Sequence, residues 1–429
     1  MTAQPSGEIH SFHAALPAGA TPFPLRQIGK TRYAMTTSIA RSDRAELVAR
    51  AVALQPLLRE HAGQMDAERR LADEVNAALV DAGMFRLLTP KRFGGYEADL
   101  RTTVEVVSAL GEADGSVAWV VGIGTVASWL LGMVSSDAQD AVFGADPDAR
   151  LAGNASMPGV ARRVDGGLRM SGRWANASGA HHATWASIAA TVTGDEGEVV
   201  DAVMGTVPVS ELTLEDTWHT VGMRGTGSNT LVGEDVFVPE HMTMSIARLV
   251  SRTPAPPTTE AIYRQPLSGL ATLPLVAPIL GMGRAALDLV VAKAPGKPVA
   301  QTTYARQSDS VGVQIQIAEA AVKVKTAQLH IYDIADELDA AAVLGEQVTY
   351  DVRAQARARA GYAVQQVLEA IQILANVHGA GGFAESSRMQ QYWRDANTAA
   401  RHGGLNAMIG YEIYGKALLG VEERIGRMV

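Results

Sequence analysis

The 429-residue chain has no cysteine. That absence excludes disulfide scaffolds, thiolate zinc sites, iron–sulfur clusters and cysteine nucleophiles together. Any redox chemistry therefore has to come from a bound cofactor. Aromatic residues are scarce, at 5%, so the core has to be aliphatic. Basic blocks are missing too: 37 Lys and Arg stand against 45 Asp and Glu, a net charge of −8. Nucleic acid and anionic membrane both demand concentrated positive charge, and neither is expected as a partner. No His-Glu-x-x-His, Gly-x-Ser-x-Gly or calcium-loop pattern occurs, and no metal site is expected. What is present is 47% hydrophobic and 19% charged, the profile of a folded globular chain.

The first thirty residues hold no basic region followed by an apolar run, so no secretory signal is read there. Residues 1–41 are expected to be a mobile extension, with Met35 as an alternative start. An uncharged run from Gly115 to Ser136 has the length of a membrane span. It is diluted by Gly, Ser and Thr and flanked by acids, which favours a helix buried inside a soluble, cytoplasmic protein.

Periodicity divides the rest into three. Residues 42–148 are predicted helical, with Leu47, Ala51, Leu54 and Leu58 at helical spacing. Residues 149–250 are predicted to be strands, with Asp165-Gly166-Gly167 as a hairpin turn and Val236-Phe237-Val238 as a closing strand. A proline-rich linker, Ser251 to Glu260, leads into a helical bundle over 251–429. There Val311, Ile315, Ala318, Val322, Lys325, Leu329 and Tyr332 step along one face, as do Val364, Leu368, Ile371, Ala375 and His378. The expected fold class is α+β: an N-terminal helical domain, a central β-barrel or sandwich, and a C-terminal four-helix bundle.

Nucleotide fingerprints fail. Met223-Arg224-Gly225-Thr226-Gly227-Ser228 contains Gly-x-Gly, but strands surround it and no helix opens from it, so it is neither a Rossmann loop nor a Walker motif. Four segments carry the chemistry. They are Leu88-Thr89-Pro90-Lys91-Arg92-Phe93-Gly94-Gly95-Tyr96, then Arg173-Trp174-Ala175-Asn176-Ala177-Ser178-Gly179, then Val221 to Asn229, and last His378-Gly379-Ala380-Gly381-Gly382-Phe383 with Tyr392-Trp393-Arg394-Asp395 and His402-Gly403.

In this order and spacing the chain resembles the acyl-CoA dehydrogenase superfamily from about Arg44 onward. It looks most like its two-component, reduced-flavin-dependent monooxygenases, the oxygenase components that hydroxylate p-hydroxyphenylacetate and steroid phenols. The dehydrogenases abstract an α-proton with a carboxylate, commonly in a Tyr-Glu-Gly context after Arg-Asp. Here His402 follows Arg394-Asp395 instead, as in the monooxygenase branch.

The resemblance implies reduced FMN or FAD supplied by a separate NAD(P)H-dependent flavin reductase, O2 as co-substrate, and a flavin C4a-hydroperoxide that hydroxylates an aromatic or polyketide-like small molecule. It implies catalytic roles for Ser178, at the flavin N5, and His402. Flavin contacts are implied for Trp174, Ser178, Arg224, Thr226, Ser228, Arg306, His378, Gly379 and Gly381. Trp119, Thr125 and Trp129 are implied in the substrate pocket. It also implies a homotetramer in which Arg306 and Gly381 complete a neighbour's site.

Plainer readings stand beside these. Ser178 could bond its own backbone at a strand end, His402 could cap the turn at Gly403-Gly404, and the tryptophans could be core. Arg394 and Asp395 read as an internal ion pair locking helices. His181 and His182, if in a strand, would point oppositely. Two alternative activities remain open: an acyl-CoA dehydrogenase-like FAD enzyme, and an amino-sugar N-oxygenase of the same fold.

Overall fold

A chain with two changes of period folds in three stretches. The computed structural model describes residues 30–153, 156–194, 196–251, 260–426 and 429. The first stretch holds α1 (Lys30–Glu68), α2 (Asp73–Asp81), α3 (Leu100–Gly111), α4 (Gly115–Gly132) and α5 (Ser136–Gln139). α1 begins at Lys30, so residues 30–41 of the expected extension are helical. The remaining residues of that extension, and the linker prolines, lie outside the described residues. Residues 42–429 form one compact unit.

Asp99 and Asp114 cap α3 and α4, accepting from the N–H groups of Thr102 and of Ser116 and Val117. α4 has span-like mean hydropathy, 1.5, yet is 89% buried, as expected of a central core helix. Its glycines permit this: a Cβ on Gly122 would meet the Pro274 carbonyl at 2.8 Å.

The strands are β1 (Leu151–Gly153), β2 (Gly159–Val164), β3 (Gly167–Ala177), β4 (Trp185–Thr193), β5 (Val199–Pro208), β6 (Thr213–Glu215), β7 (Asn229–Pro239) and β8 (Thr243–Ser245). Among the described residues they make one mixed sheet, ordered β6-β7-β3-β2-β4-β5-β8, with β1 parallel to β4. The predicted hairpin is the β2–β3 turn, where Gly166 takes φ +75°. The predicted closing strand lies in β7, although β8 follows it.

Helices return as α6 (Ile246–Ser251), α7 (Leu267–Leu270), α8 (Leu273–Lys293), α9 (Val311–Leu344), α10 (Tyr350–His378), α11 (Arg388–Ala399) and α12 (Ala407–Leu418). The α9 stripe read from the sequence is a helical face, but the outward one. Val311, Ile315, Val322 and Leu329 are exposed, while Val313, Ala320, Val324, Ala327, Ile331 and Leu338 enter the core. Periodicity sets the repeat of a helix, not which of two apolar faces turns inward.

Candidate active site

Three elements converge on one small polar cluster. β3 ends in an irregularity: pairing with β7 shifts between Trp174 and Ala177, and Asn176 adopts φ +62°. The chain then turns at Ser178 and Gly179. Gly179 takes φ +76°, and a Cβ there would lie 2.9 Å from Val120 of α4, so only glycine lets the corner close. Its N–H donates to the Thr226 carbonyl at 2.8 Å, tying the corner to a second turn, Met223 to Ser228.

That second turn is pinned from α11. The Met223 N–H donates to Asp395 Oδ1 at 2.6 Å. A Cβ on Gly222 would meet the Arg394 carbonyl at 2.4 Å. Asp395 is buried, and burial first, then the nearby Asp114 carboxylate, pushes it up to about 7. Arg394 is not its ion-pair partner, as the sequence had suggested. Arg394 pairs with Asp66 of α1 at 2.7 Å and donates to the Val221 carbonyl. Both residues fasten the turn, each with a separate partner.

The hydroxyls in this cluster have a fixed polarity. The Trp119 indole N–H donates to Ser178 Oγ at 3.2 Å. Ser178 Oγ lies 2.7 Å from Ser228 Oγ, and Ser228 Oγ lies 2.7 Å from Thr226 Oγ1. Thr226 Oγ1 donates to the Met223 carbonyl at 2.8 Å. An indole can only donate and a carbonyl only accept, and each hydroxyl has one proton. Ser178 must therefore donate to Ser228, and Ser228 to Thr226. Every hydroxyl proton is spent, and Ser178 keeps one open acceptor position.

His402 stands beside this chain, edge-on to the Trp119 ring with centroids 5.6 Å apart. Its Nδ1 accepts the Gly404 N–H at 3.1 Å, so the capping role is real. The cap occupies one nitrogen only; a neutral ring then carries its proton on Nε2. The residue keeps accessible surface although protein surrounds the ring. Burial, and then the Arg357 charge, hold its pKa below the ordinary 6.5.

Other expected residues fall elsewhere. Trp174 is a correction: it is fully buried in the sheet, donating to the Ala189 carbonyl at 2.8 Å, with no face toward the cluster. Trp129 is likewise core, its indole N–H held by the Ile262 carbonyl. Thr125 is buried on α4 with a hydroxyl that has no protein partner. Arg224 spends its guanidinium on Asp66 and on the Thr220 carbonyl. His181 and His182 sit in a turn rather than a strand; they bond Asn229 and the Leu71 carbonyl respectively.

A second cluster lies at the end of α10. His378 Nε2 is 3.2 Å from Lys293 Nζ, and Lys297 donates to the His378 carbonyl. Gly379 takes φ +72°, and Gly381 faces open space. Arg306 is exposed and paired with Asp309 at 2.8 Å, beside Gln307, whose Nε2 donates to the Val377 carbonyl. The sequence reading overlooked the lysines, and it overlooked Arg357, whose Nη2 donates to the carbonyls of Gly403 and Asn406. Helical spacing put Arg357 among other arginines, where it looks like a solvated face.

The helix–sheet–helix fold thus brings a buried hydroxyl chain and a histidine together. The acyl-CoA dehydrogenase N-terminal domain family matches residues 46–143, and the acyl-CoA dehydrogenase C-terminal domain family matches residues 273–407. The chain is 35% identical over 373 residues to the flavin-dependent monooxygenase oxygenase subunit HsaA of Rhodococcus jostii RHA1, spanning 86% of this chain and 97% of that protein. It is 34% identical over 391 residues to the oxygenase component of an FADH2-dependent resorcinol hydroxylase of Rhizobium sp. MTP-10005, spanning 88% and 95%. Among solved structures, XiaF from Streptomyces sp. in complex with FADH2 and glycerol superimposes with a TM-score of 0.88 at 36% identity, over 92% of this chain and all of that one. The chain belongs to the acyl-CoA dehydrogenase superfamily and, within it, to the flavin-dependent monooxygenase oxygenase subunits.

Proposed function

We propose that the chain binds reduced flavin at the Ser178 corner and hydroxylates an aromatic or polyketide-like small molecule. One observation carries this reading: the hydroxyl chain leaves Ser178 as an acceptor, beside a neutral His402 with a donor at Nε2. Reduced flavin presents an N–H at N5, which an acceptor satisfies and a donor would not. When bound, it supplies the electrons that activate O2. The protein's part is to hold that proton through Ser178, exclude water with the α4 side chains, and offer the His402 Nε2–H to oxygen or to substrate.

Among the described residues, no carboxylate of the site is free to remove an α-proton. Asp395, the carboxylate nearest His402 in sequence, is turned to the Met223 N–H, which argues against dehydrogenation of an acyl thioester. Lys293 and Lys297 beside Gly379 suit the phosphates of FAD or FMN. A separate NAD(P)H-dependent reductase supplies the reduced flavin, in keeping with the oxygenase-subunit relatives. The outward apolar stripe on α9 supports packing against further copies, as a homotetramer would require. A cytoplasmic site of action fits the use of soluble reduced flavin.

The test is to mix the protein with anaerobically reduced FAD or FMN, then with 18O2, and follow flavin reoxidation and product mass over a phenol and indole panel. Slowed reoxidation with one 18O atom in the product is expected. Reoxidation as fast as free flavin, with no oxygenated product, would overturn the reading.

A further inference from the structure

The polarity of the hydroxyl chain originates at one carbonyl, that of Met223. Three donors converge on it: the Trp218 indole N–H at 2.9 Å, Thr226 Oγ1 at 2.8 Å and the Thr226 N–H at 3.2 Å. The carbonyl is aimed this way because Met223 adopts φ +55°, in the left-handed region that residues with a side chain normally avoid. Such a conformation persists only where its neighbours over-determine it. On the amide side that neighbour is Asp395, whose Oδ1 takes the Met223 N–H at 2.6 Å. Both residues are buried.

A neutral amide oxygen could accept that N–H with no charge to bury. Burial, the Asp114 carboxylate at the start of α4 and Asp66 of α1 all work against a charge on Asp395. Arg394, beside it on α11, favours the charge but is paired with Asp66 at 2.7 Å. Arg388 of the same helix acts on Asp114, and Arg224 of the turn on Asp66. What the carboxylate adds is strength, since a charged acceptor holds an N–H about twice as firmly as a neutral one. Should Met223 relax, its carbonyl would swing away from Thr226. Thr226 could then turn its proton to Ser228, and Ser228 to Ser178. Ser178, already receiving the Trp119 indole N–H, would present its own proton outward. The corner would then suit the lone pair at N5 of oxidised flavin rather than the N–H of the reduced form. We infer that Asp395 is a positioning residue that, through Met223, sets which oxidation state of flavin the Ser178 corner prefers. The inference rests on the proposed flavin site and deepens it, and its test needs neither oxygen nor substrate.

The measurement is anaerobic titration of the intact protein with FAD and FMN, each oxidised and dithionite-reduced, at pH 8 and pH 6. At pH 8 the unaltered protein should bind reduced flavin about tenfold tighter than oxidised, the scale of one hydrogen bond made or missed. Asp395→Asn, which keeps an acceptor oxygen, should retain a preference of about threefold, and Asp395→Ala should lose it. Between pH 8 and pH 6 Asp395 takes up its proton, near 7, and the unaltered protein should fall to the level of the asparagine variant. Ionisation of flavin and of His402 is common to both proteins, so their difference reads Asp395 alone. Replacing a merely structural carboxylate would lower the melting temperature. Asp395→Asn should instead melt no lower than the unaltered protein at pH 8, because a carboxylate whose pKa is raised on folding loses its stabilising contribution as pH rises through about 7. An unchanged preference in Asp395→Ala would overturn the role. So would a single pH profile shared by the unaltered protein and Asp395→Asn, and that comparison decides if Asp395→Ala does not fold. Failure of every flavin form to bind the unaltered protein would remove the flavin site and this role with it. A reduced-state preference without oxygenated product would sink the oxygenase reading alone.

Discussion

The two walls of the site differ in how their polar groups are spent. On the sheet side, Ser178, Ser228 and Thr226 satisfy one another, close at both ends on protein groups, and leave one open acceptor position on Ser178. On the helical side, His402 and Arg357 each use part of their capacity and leave part unused. A spent network is rigid and dry, because breaking any link strands a buried partner. An unspent one is held in place and still able to bind. Under the proposed function, the contrast would separate a surface that positions a cofactor from one that meets changing ligands.

Three outcomes would break or sharpen this contrast. The largest is expected on the unspent side. His402→Ala should lower oxygenated product by about 100-fold, the scale of losing one preorganised donor, while chemical denaturation shows little change. A matching loss of stability would mean that the ring serves the fold after all. Next, Ser228→Ala should act through the fold, because it strands both Ser178 and Thr226. A destabilisation of about 1–3 kcal/mol is expected from denaturant titration, and a silent variant would show that the chain is not closed.

The smallest effect concerns pH. The folded imidazole of His402 is held below 6.5 by burial and then by Arg357, so it stays neutral until the pH falls past its ordinary value. The contribution of His402 to product formation should be level from pH 8 down to 6.5 and decline only on the acid side, separate from any step near 7 where Asp395 titrates. Its stability contribution follows the same direction, present above 6.5 and lost as pH falls through the depressed value. Removing the Arg357 charge should move the acid limb upward, toward 6.5. A limb that stays in place would detach Arg357 from the imidazole.

The order of helices and strands was legible because the repeat changes from 3.6 to 2 and back, as the strands from Leu151 to Ser245 follow and precede helices. Ser178, Thr226, Ser228, Trp119 and His402 were each legible through motif resemblance. Their joining into one hydrogen-bonded chain was not, since β3, β7, α4 and α11 meet only through tertiary packing. Trp174 and Trp129 show the opposite failure. A large aromatic in a motif looks functional, but both indoles here close on backbone carbonyls inside the core. The α9 stripe failed by phase, not by period. Arg357 was hidden by its neighbours: Arg353 and Arg359 share its helix, and α12 with the His402 turn covers only Arg357 among them.

The polarity of the Ser178 chain reaches further than the position of one proton. A ligand offering a lone pair at that spot, as oxidised flavin does at N5, would call for a hydroxyl proton from Ser178. To supply it, Ser178 would have to turn its one proton away from Ser228, leaving a buried oxygen without that donor. In the proposed role the corner would act as a check valve for oxidation state: it would take the two-electron-reduced visitor as built and would keep the spent one only by breaking the Ser178–Ser228 link.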